Sequence, residues 1–223
     1  MLSFIKFINI VINLTRNKCS FLRILQIIKI KKIEINNNLL DIGGTKDPRN
    51  ISFYFPGKYK KKYIDKYSSD PDIYKLDLEE INIIHEKYDF VCLLNILEHI
   101  KNYRNTIKFS YDVLTDRGTL IGSVPFMFKI HYSPKDYFRF THQLLEEELK
   151  EAGFTDIKIE PLGLGPFTNM YSALSDYFMK LSSWINVFLI FICIILDKIF
   201  YIFNKKFSKF YPLGYFFVAK KNN

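Results

Sequence analysis

A series of short apolar runs, separated by helix-like stretches, is the feature that most restricts the fold of this chain. Each run has the length of a buried strand, and several end in glycine, proline or an acidic residue. The runs are NNNLLDIGG, KKYIDKYS, the YKL of IYKLDLEE, YDFVCLLN, TLIGSVP, FTDIKIEPLG and YPLGYFFVAKK. Strands that alternate with helices at this rhythm predict an α/β fold, a doubly wound and mostly parallel sheet with helices on both faces.

Two helices between these runs carry recognisable end signals. Residues 102–114 fit a helix that the TDRG turn closes. Thr141 is a candidate N-cap for the next helix, which has three glutamates in its early turns and Gly153 at its C-terminal end. Both helices separate predicted strands, as a parallel sheet requires.

Composition excludes several classes of protein. Hydrophobic residues make up 48% of the 223 residues, which excludes wholesale disorder. The net charge of +9 favours an anionic partner, either nucleic acid or a membrane face. The excess of Ile, Lys, Asn, Tyr and Phe is typical of an AT-rich genome, however, so the lysines alone are weak evidence for such a partner.

The cysteines and histidines predict no metal site and no disulfides. Cys19, Cys92 and Cys193 are odd in number and widely spaced, which favours a reducing compartment. The four histidines show neither an HxxxH nor an HExxH arrangement. We therefore expect no zinc site.

Polar residues follow the first two predicted strands where each strand ends. In LLDIGGT, Asp41 is followed by Gly43 and Gly44, which would let the backbone approach a ligand closely. Asp65 ends the second strand, where a carboxylate can accept hydrogen bonds from both hydroxyls of a ribose. The alternatives are an ordinary strand-to-helix turn and a solvated aspartate among lysines.

The next two strands end in polar residues as well. Asp77 follows the third strand and suits an adenine amino group, and Asn95 follows the fourth, where the polar tail of a ligand would lie. Because the carboxyl ends of parallel strands meet at one edge of the sheet, the four strand ends predict one ligand crevice.

Taken together, these segments resemble the class I S-adenosylmethionine-dependent methyltransferases, specifically the small-molecule group with a leucine–glutamate–histidine motif. The matching segments are LLDIGG (39–44), YIDK (63–66), KLDLEE (75–80), YDFVCLLNILEHI (88–100) and VLTDRGTLIGSVPF (113–126). The stretch SVPFMFKIHYSPKDYFRFTHQLLEEELKEAGF resembles a subgroup often seen among polysaccharide and envelope biosynthesis enzymes. The resemblance covers residues 37 to 162, with YPLGYFFVAKK as the expected last strand.

The resemblance implies a fold and a cofactor. The sheet would have seven strands, with the last one antiparallel and inserted between the fifth and sixth. S-adenosylmethionine would be the cofactor, with Asp41, Gly43 and Gly44 at its methionine end. Asp65 would bind the ribose, Asp77 the adenine, and Asn95 would lie near the sulfonium.

Two residues depart from the pattern of the group. Thr45 stands where many members have a further glycine, and Phe138 replaces the usual tryptophan. A tighter cofactor loop or a lower cofactor affinity would follow from the first departure.

The stretch HYSPKDYFRFT, residues 131–141, follows the fifth predicted strand on the lip where an acceptor would approach the methyl group. His131 is the first candidate for a general base, with Asp136 as its orienting partner or as a direct contact to the acceptor. Arg139 could hold a phosphate or carboxylate in two-pronged fashion.

An alternative interpretation of the same stretch is structural. Asp136 and Arg139 would then pair to pin the loop, while the aromatic residues between and after them fill the core. Glu98 and His99, from the family motif, are interpreted as active-site wall rather than as a base.

Residues 166–210 form a hydrophobic segment before the last strand. Its uncharged run of about a dozen residues is shorter than the ~20 that span a bilayer, and Asp197 and Lys198 interrupt it. If the strands on either side lie in one sheet, a single membrane crossing is excluded. An in-plane helical hairpin, a re-entrant element, a dimer interface and additional core remain as alternatives. Lys205, Lys206 and Lys209 suit an anionic membrane surface.

The sequence therefore predicts four parts: an N-terminal helical segment (1–36), a methyltransferase core (37–165), a hydrophobic helical insertion (166–210) and the last strand of the core (211–223). The expected activity is methyl transfer to a small or lipid-linked acceptor, such as a sugar hydroxyl of an envelope polysaccharide precursor. The expected location is the cytoplasm, peripheral on the inner face of the membrane through 166–210. Two alternatives are a non-catalytic membrane scaffold and, through KYKKKYIDKY, a nucleic-acid-binding protein, although none of the usual nucleic-acid-reading motifs is present. The oligomeric state is left open.

Overall fold

The computed structural model describes residues 4–80, 84–203, 205 and 207–222. Six strands form one mixed sheet in the order β2-β1-β3-β4-β6-β5. The strands are β1 (Asn37–Ile42), β2 (Tyr59–Ile64), β3 (Tyr88–Leu94), β4 (Leu114–Pro125), β5 (Phe154–Leu162) and β6 (Gly214–Lys221). The first four strands pair in parallel, β2 with β1, β1 with β3 and β3 with β4.

The last strand, β6, lies between β4 and β5 and runs antiparallel to its neighbour β5. Leu213, just before β6, donates its N–H to the carbonyl of Leu162 at the end of β5 (2.6 Å). At the other end, the Thr155 hydroxyl near the start of β5 donates to the carbonyl of Lys220 (3.3 Å). The predicted doubly wound α/β fold, with an inserted antiparallel last strand, is confirmed.

The prediction of seven strands is wrong for the described residues. The YKL segment forms a single parallel bridge, Ile64 to Tyr74, in place of a strand. The Tyr74 N–H donates to Tyr63 (2.9 Å), and the Asp65 N–H donates to Tyr74 (3.1 Å). Pairing stops there because Asp77 turns the chain, its carboxylate accepting the N–H of Glu79 (3.1 Å).

The chain divides into two compact units. The sheet unit comprises residues 30–125, 130–160 and 215–223, and the helical unit comprises residues 1–29, 126–129 and 161–214. The helices are α1 (Phe4–Arg16), α2 (Phe21–Ile30), α3 (Tyr103–Val113), α4 (His142–Glu151), α5 (Pro166–Ala173), α6 (Ser175–Phe178), α7 (Ser183–Phe203) and α8 (Phe207–Phe210). The four-part division expected from the sequence stays a prediction, and so does the status of 166–210 as an insertion.

The core of the sheet unit is built from the central strands. Leu39 and Leu40, which face opposite sides of β1, are both fully buried, as are Cys92 and Leu93 on the two sides of β3. Burial on both faces explains why these strands are continuous apolar runs rather than alternating ones.

Helices α3 and α4 are joined by an ion pair. Arg104 donates to both carboxylate oxygens of Glu148 (2.5–3.0 Å), and the Tyr103 hydroxyl donates to the same group (3.0 Å). Thr141 caps α4 as predicted, with its hydroxyl accepting the N–H of Leu144 (3.3 Å).

In the helical unit, α7 is longer than the sequence analysis expected. It runs for 21 residues through Asp197 and Lys198. Asp197 is tolerated because it is fully buried and caps α5, accepting the N–H groups of Phe167 (3.0 Å) and Thr168 (2.9 Å). A carboxylate is stabilised at a helix N-terminus by these free N–H groups and by the helix dipole.

The length and composition of α7 meet the requirements for crossing a membrane. The most apolar 18 residues of α7 have a mean hydropathy of 2.3, and 33% of them are buried. The chain reaches α7 from β5 and leaves toward β6, which are adjacent strands of one sheet. A segment whose two ends join adjacent strands of one sheet begins and ends on the same side of a membrane, which disfavours a single crossing by α7.

Candidate functional site

The parallel strands bring their carboxyl ends to one edge of the sheet. Ile42 at the end of β1 is paired with Ile64 at the end of β2, and Leu94 at the end of β3 is paired with Ser123 in β4. The residues that follow these strands, including Gly43, Asp65 and Asn95, therefore lie along the same edge. The crevice predicted from the strand ends is the natural ligand position in a sheet of this type.

Asp41, in β1, is buried and hydrogen-bonded within the protein. It is 2% exposed, and it accepts hydrogen bonds from the Ser52 hydroxyl, from Cys92 Sγ (3.1 Å) and from Asn50 Nδ2 (3.4 Å). Burial raises the pKa of this carboxyl, and the hydrogen bonds from Ser52 and Cys92 oppose that shift. Asn50 also donates to the carbonyl of Thr45 (3.2 Å), so the network of Asp41 shapes the loop that follows β1.

The two glycines after β1 are required by close approaches. A Cβ at Gly44 would lie 2.1 Å from Oδ2 of Asp41. Gly43 has a φ of +75°, and a Cβ there would lie 2.6 Å from Cδ1 of Ile96. Its N–H donates to the carbonyl of Ile64 (2.7 Å), which ties the loop to the end of β2.

Asp65 and Asp77, the predicted ribose and adenine contacts, follow β2 and the Tyr74 bridge. Asp65 is partly exposed, and its carboxylate accepts the N–H of Tyr67 (2.7 Å). Asp77 receives a hydrogen bond from Lys66, which lowers the pKa of the Asp77 carboxyl. The structure thus brings Asp77 beside the residue that follows Asp65, at the same end of the sheet.

Asn95 stands at the end of β3 in a left-handed backbone conformation, with a φ of 56°. This conformation is uncommon outside glycine and often marks a functional turn. The Asn95 N–H donates to the carbonyl of Ser123 (2.9 Å), and the Ser123 hydroxyl donates to its side-chain oxygen (3.2 Å). The side chain is thereby held between β3 and β4.

In the loop 131–141, Asp136 and Arg139 form a two-pronged ion pair. Arg139 donates to both oxygens of Asp136 (2.5 and 2.7 Å), and the His131 N–H donates to the same carboxylate (2.9 Å). Chiefly through Arg139, the pKa of Asp136 falls to about 2. Phe140 is fully buried against Tyr103, as the structural interpretation of this stretch expected, whereas Tyr137, which that interpretation also placed in the core, is 38% exposed. Arg139 is therefore engaged with its own loop.

A further cluster at this edge was missed by the sequence analysis. The Glu98 side chain is fully buried, and neither of its carboxylate oxygens has a hydrogen-bond partner among the described residues. Its Oε1 lies 3.7 Å from Nε2 of His99 and 3.9 Å from Nε2 of His131. Burial raises the pKa of Glu98 to about 8. The adjacent Glu98 and His99 were visible in the motif, but only the folded loop brings His131 to them.

Comparison with known proteins identifies solved structures with a similar fold but no related sequence family. No protein-family model matches the sequence, and no curated protein is significantly similar to it. Among solved structures, a methyltransferase from Thermotoga maritima, described as a possible histamine N-methyltransferase, has a TM-score of 0.56 at 12% identity, covering 94% of this chain and 92% of its own. A putative S-adenosylmethionine-dependent methyltransferase from Listeria monocytogenes has a TM-score of 0.53 at 15% identity, covering 90% and 98%.

A phosphoethanolamine N-methyltransferase from Haemonchus contortus, solved with phosphomonomethylethanolamine and S-adenosylhomocysteine, has a TM-score of 0.51 at 18% identity. The match covers 89% of this chain and 52% of that one, so this chain spans about half the length of the Haemonchus enzyme. At these identities the likeness concerns the fold. The protein has the Rossmann-like α/β fold of the S-adenosylmethionine-dependent methyltransferases.

Proposed function

We propose that the protein transfers a methyl group from S-adenosylmethionine to a small or lipid-linked acceptor. The observation that carries this proposal is the alignment of Gly43, Asp65 and Asn95 along the carboxyl edge of a sheet with the methyltransferase strand order. Two of the Haemonchus structures contain S-adenosylmethionine or its demethylated product, which supports the same cofactor here.

Each part of the cofactor has a candidate partner in this chain. The backbone of Gly43 and Gly44 would receive the methionine end, in a loop where a side chain at either position would collide with Ile96 or Asp41. The partly exposed carboxylate of Asp65 would accept the ribose hydroxyls, and Asp77 the adenine amino group. Asp41 would act indirectly, because Asn50, which donates to Asp41, also donates to the carbonyl of Thr45 in the glycine loop.

The chemistry is an in-line displacement at the methyl carbon. The bond from carbon to the sulfonium sulfur would break, sulfur would keep the electron pair, and a bond would form to the acceptor oxygen, whose proton His131 would take. Alignment of the partners and exclusion of water provide much of the acceleration. In this proposal the cluster of Glu98, His99 and His131 would activate the acceptor, and Asp136, 3.4 Å from Nδ1 of His131, would orient that imidazole.

The acceptor that we propose is a sugar hydroxyl of an envelope polysaccharide precursor. This choice is supported by the resemblance of residues 123–154 to enzymes of that kind. A hydroxyl acceptor also agrees with a site that has imidazole and carboxylate groups, because such groups can take up the proton that the hydroxyl loses.

A lipid-linked acceptor would fit a protein that lies on the inner face of a membrane, in the cytoplasm. Helix α7 exposes a stripe of large apolar side chains, among them Trp184 (61% exposed) and Phe188 (64% exposed). Lys205 and Lys209 are exposed beyond its C-terminal end, whereas Lys206 lies outside the described residues. Apolar side chains beside lysines favour an anionic lipid surface.

Vesicle flotation tests this membrane contact. Wild-type protein should float with vesicles that contain anionic lipid, and Phe188→Ser should reduce the bound fraction because an exposed apolar anchor is lost. Phe140→Leu, at a buried position of the sheet unit, is the matched control and should float like wild type. Equal flotation of Phe188→Ser and wild type would contradict the proposal.

Calorimetric titration tests the cofactor. S-adenosylmethionine and S-adenosylhomocysteine should bind the full-length protein with micromolar affinity. Asp65→Ala should lose about 2 kcal/mol, roughly thirtyfold in affinity, because charge-assisted hydrogen bonds to the ribose disappear. The control Asp112→Ala removes an exposed carboxylate of α3 that pairs with Lys108, and its affinity should equal that of wild type. Absence of binding at millimolar cofactor would favour the non-catalytic scaffold.

A further inference from the structure

We propose that Glu98, His99 and His131 bind a divalent first-row transition-metal cation such as Mn²⁺, Co²⁺ or Zn²⁺ at the acceptor side of the site. Two imidazoles and one carboxylate are a common ligand set for these ions and leave coordination positions open. The ligand atoms of the three residues all lie within 4.8 Å of one another.

The distances suit an ion better than hydrogen bonds. Oε1 of Glu98 faces both imidazoles, at 3.7 Å from Nε2 of His99 and 3.9 Å from Nε2 of His131. Both distances are too long for a hydrogen bond. Ligand atoms around one ion lie about 3 to 3.5 Å apart. The ligand atoms of the three residues lie within 4.8 Å of one another, so the side chains would move closer by up to about 1.5 Å to coordinate one ion.

The second ring nitrogen of His99 already has a partner that prepares the first for a metal. Nδ1 of His99 lies 2.5 Å from the carbonyl oxygen of Lys135. A carbonyl only accepts, so Nδ1 carries the hydrogen and Nε2 presents its lone pair toward Glu98. Metal-binding histidines usually have this arrangement.

His131 makes a longer contact of the same kind with a carboxylate. Its Nδ1 lies 3.4 Å from Oδ2 of Asp136, which favours the hydrogen on Nδ1 and a lone pair on Nε2. Asp136 is in turn held by Arg139. The unusual mixture of residues in the loop 131–141 is thereby explained, since it contributes one ligand and the groups that orient it.

The buried carboxylate of Glu98 is the independent evidence for a ligand. A fully buried carboxylate without hydrogen bonds is costly unless a cation or a proton occupies the adjacent space. A divalent ion there would satisfy Glu98 and both imidazoles together. No other described group supplies that charge within hydrogen-bond distance of Glu98.

The cation would have a definite role in the proposed function, on which this part of the inference rests. Its open positions would accept the hydroxyl oxygen of the acceptor and lower the pKa of that hydroxyl. His131 would then act as a ligand rather than as a free base. The acceptor class is therefore one with an oxygen donor suited to metal binding, such as one hydroxyl of a sugar diol.

The test is metal binding by the full-length protein after chelator treatment, without any activity measurement. Calorimetry with Mn²⁺ and with Zn²⁺ should show one ion per chain, and Co²⁺ should give the visible spectrum of a site with nitrogen ligands. Glu98→Gln preserves side-chain shape and should weaken binding by at least about a hundredfold, whereas Asp136→Asn should weaken it about tenfold. The matched control is His142→Ala, which removes an exposed histidine paired with Glu146. Its metal affinity should equal that of wild type.

Binding of S-adenosylhomocysteine by the same samples reports on folding and separates this inference from the proposed function. Glu98→Gln that still binds S-adenosylhomocysteine but not metal supports the cation site. Wild-type protein that binds S-adenosylhomocysteine but no metal at millimolar concentration overturns it, as does Glu98→Gln with unchanged metal affinity. Metal binding without S-adenosylhomocysteine binding would support the cation site and refute the methyltransferase proposal.

Discussion

Two buried carboxylates at the same edge of the sheet have opposite surroundings. Asp41 accepts hydrogen bonds from a hydroxyl, a thiol and an amide, all from its own unit. Glu98 is equally buried, yet neither of its oxygens has a hydrogen-bond partner among the described residues. A carboxylate whose hydrogen bonds are made within the protein is stabilised there, whereas a buried carboxylate without them is costly unless a proton or a cation lies beside it.

The largest effect should come from the loop that Asp41 supports. In Gly44→Ala, the added Cβ would overlap Oδ2 of Asp41, which cannot move away because its hydrogen bonds hold it. We expect a loss of about 3 kcal/mol in the free energy of unfolding, together with loss of cofactor binding. Urea denaturation and cofactor titration would measure both.

The neighbouring substitution Thr45→Ala serves as the control for Gly44→Ala. It removes a hydroxyl that accepts the N–H of Asp47 in a long hydrogen bond (3.3 Å), so stability and cofactor affinity should change little. If Gly44→Ala behaved like Thr45→Ala, the glycine loop would be less restricted than the contact with Asp41 indicates.

Replacing each of the two carboxylates by its amide should change the free energy of unfolding by an intermediate amount, in opposite directions for Asp41 and Glu98. Asp41→Asn should destabilise the protein by about 2 kcal/mol, because an amide cannot accept all the hydrogen bonds that the carboxylate accepts. Glu98→Gln in metal-free protein should leave stability unchanged or raise it, because a buried carboxylate without partners is replaced by a neutral group. Denaturant midpoints of both variants at neutral pH would decide, and equal destabilisation would show that Glu98 also has a structural role.

Glu148 provides a third carboxylate and the smallest expected effect. Arg104 lowers the pKa of Glu148, so this pair stabilises the fold above the ordinary pKa of glutamate and loses its contribution as the pH falls through the lowered value. Arg104→Met should lower the stability only slightly at neutral pH, because Arg104 is largely exposed and solvent screens the ion pair. The difference from wild type should shrink in acid, and an unchanged difference in thermal scans at acidic pH would refute the assignment.

The sequence was a good guide to this fold wherever the signal was local. The apolar runs identified the six strands, and Thr141 marked the start of α4 because capping depends on residues three positions apart. The prediction of a seventh strand is wrong because the turn at Asp77 follows YKL within a few residues, so that only a single bridge forms. The length of α7 was underestimated because a charged residue was taken as an interruption, whereas Asp197 is buried as a cap of α5.

In the candidate site, too, the residues predicted from the sequence are those with a local signal. Gly43, Gly44, Asp65 and Asn95 were predicted from their positions after strands, since parallel strands place their carboxyl ends together. The roles of these residues in binding stay predictions. The pairing of Asp136 with Arg139 was one of two interpretations, and the close spacing of the two residues made it visible.

What the sequence determined by itself is the order of strands and helices, and hence the edge at which polar residues gather. Local periodicity and end signals are sufficient to predict this order, because the burial pattern and the caps of each element depend on residues close together in the sequence. Only the tertiary structure decided that His131 meets Glu98 and His99, and that the Glu98 carboxylate has no hydrogen-bond partner in the described chain. Contacts between distant segments, and the absence of a contact, depend on how the loop 131–141 packs, and no pattern along the chain records that packing.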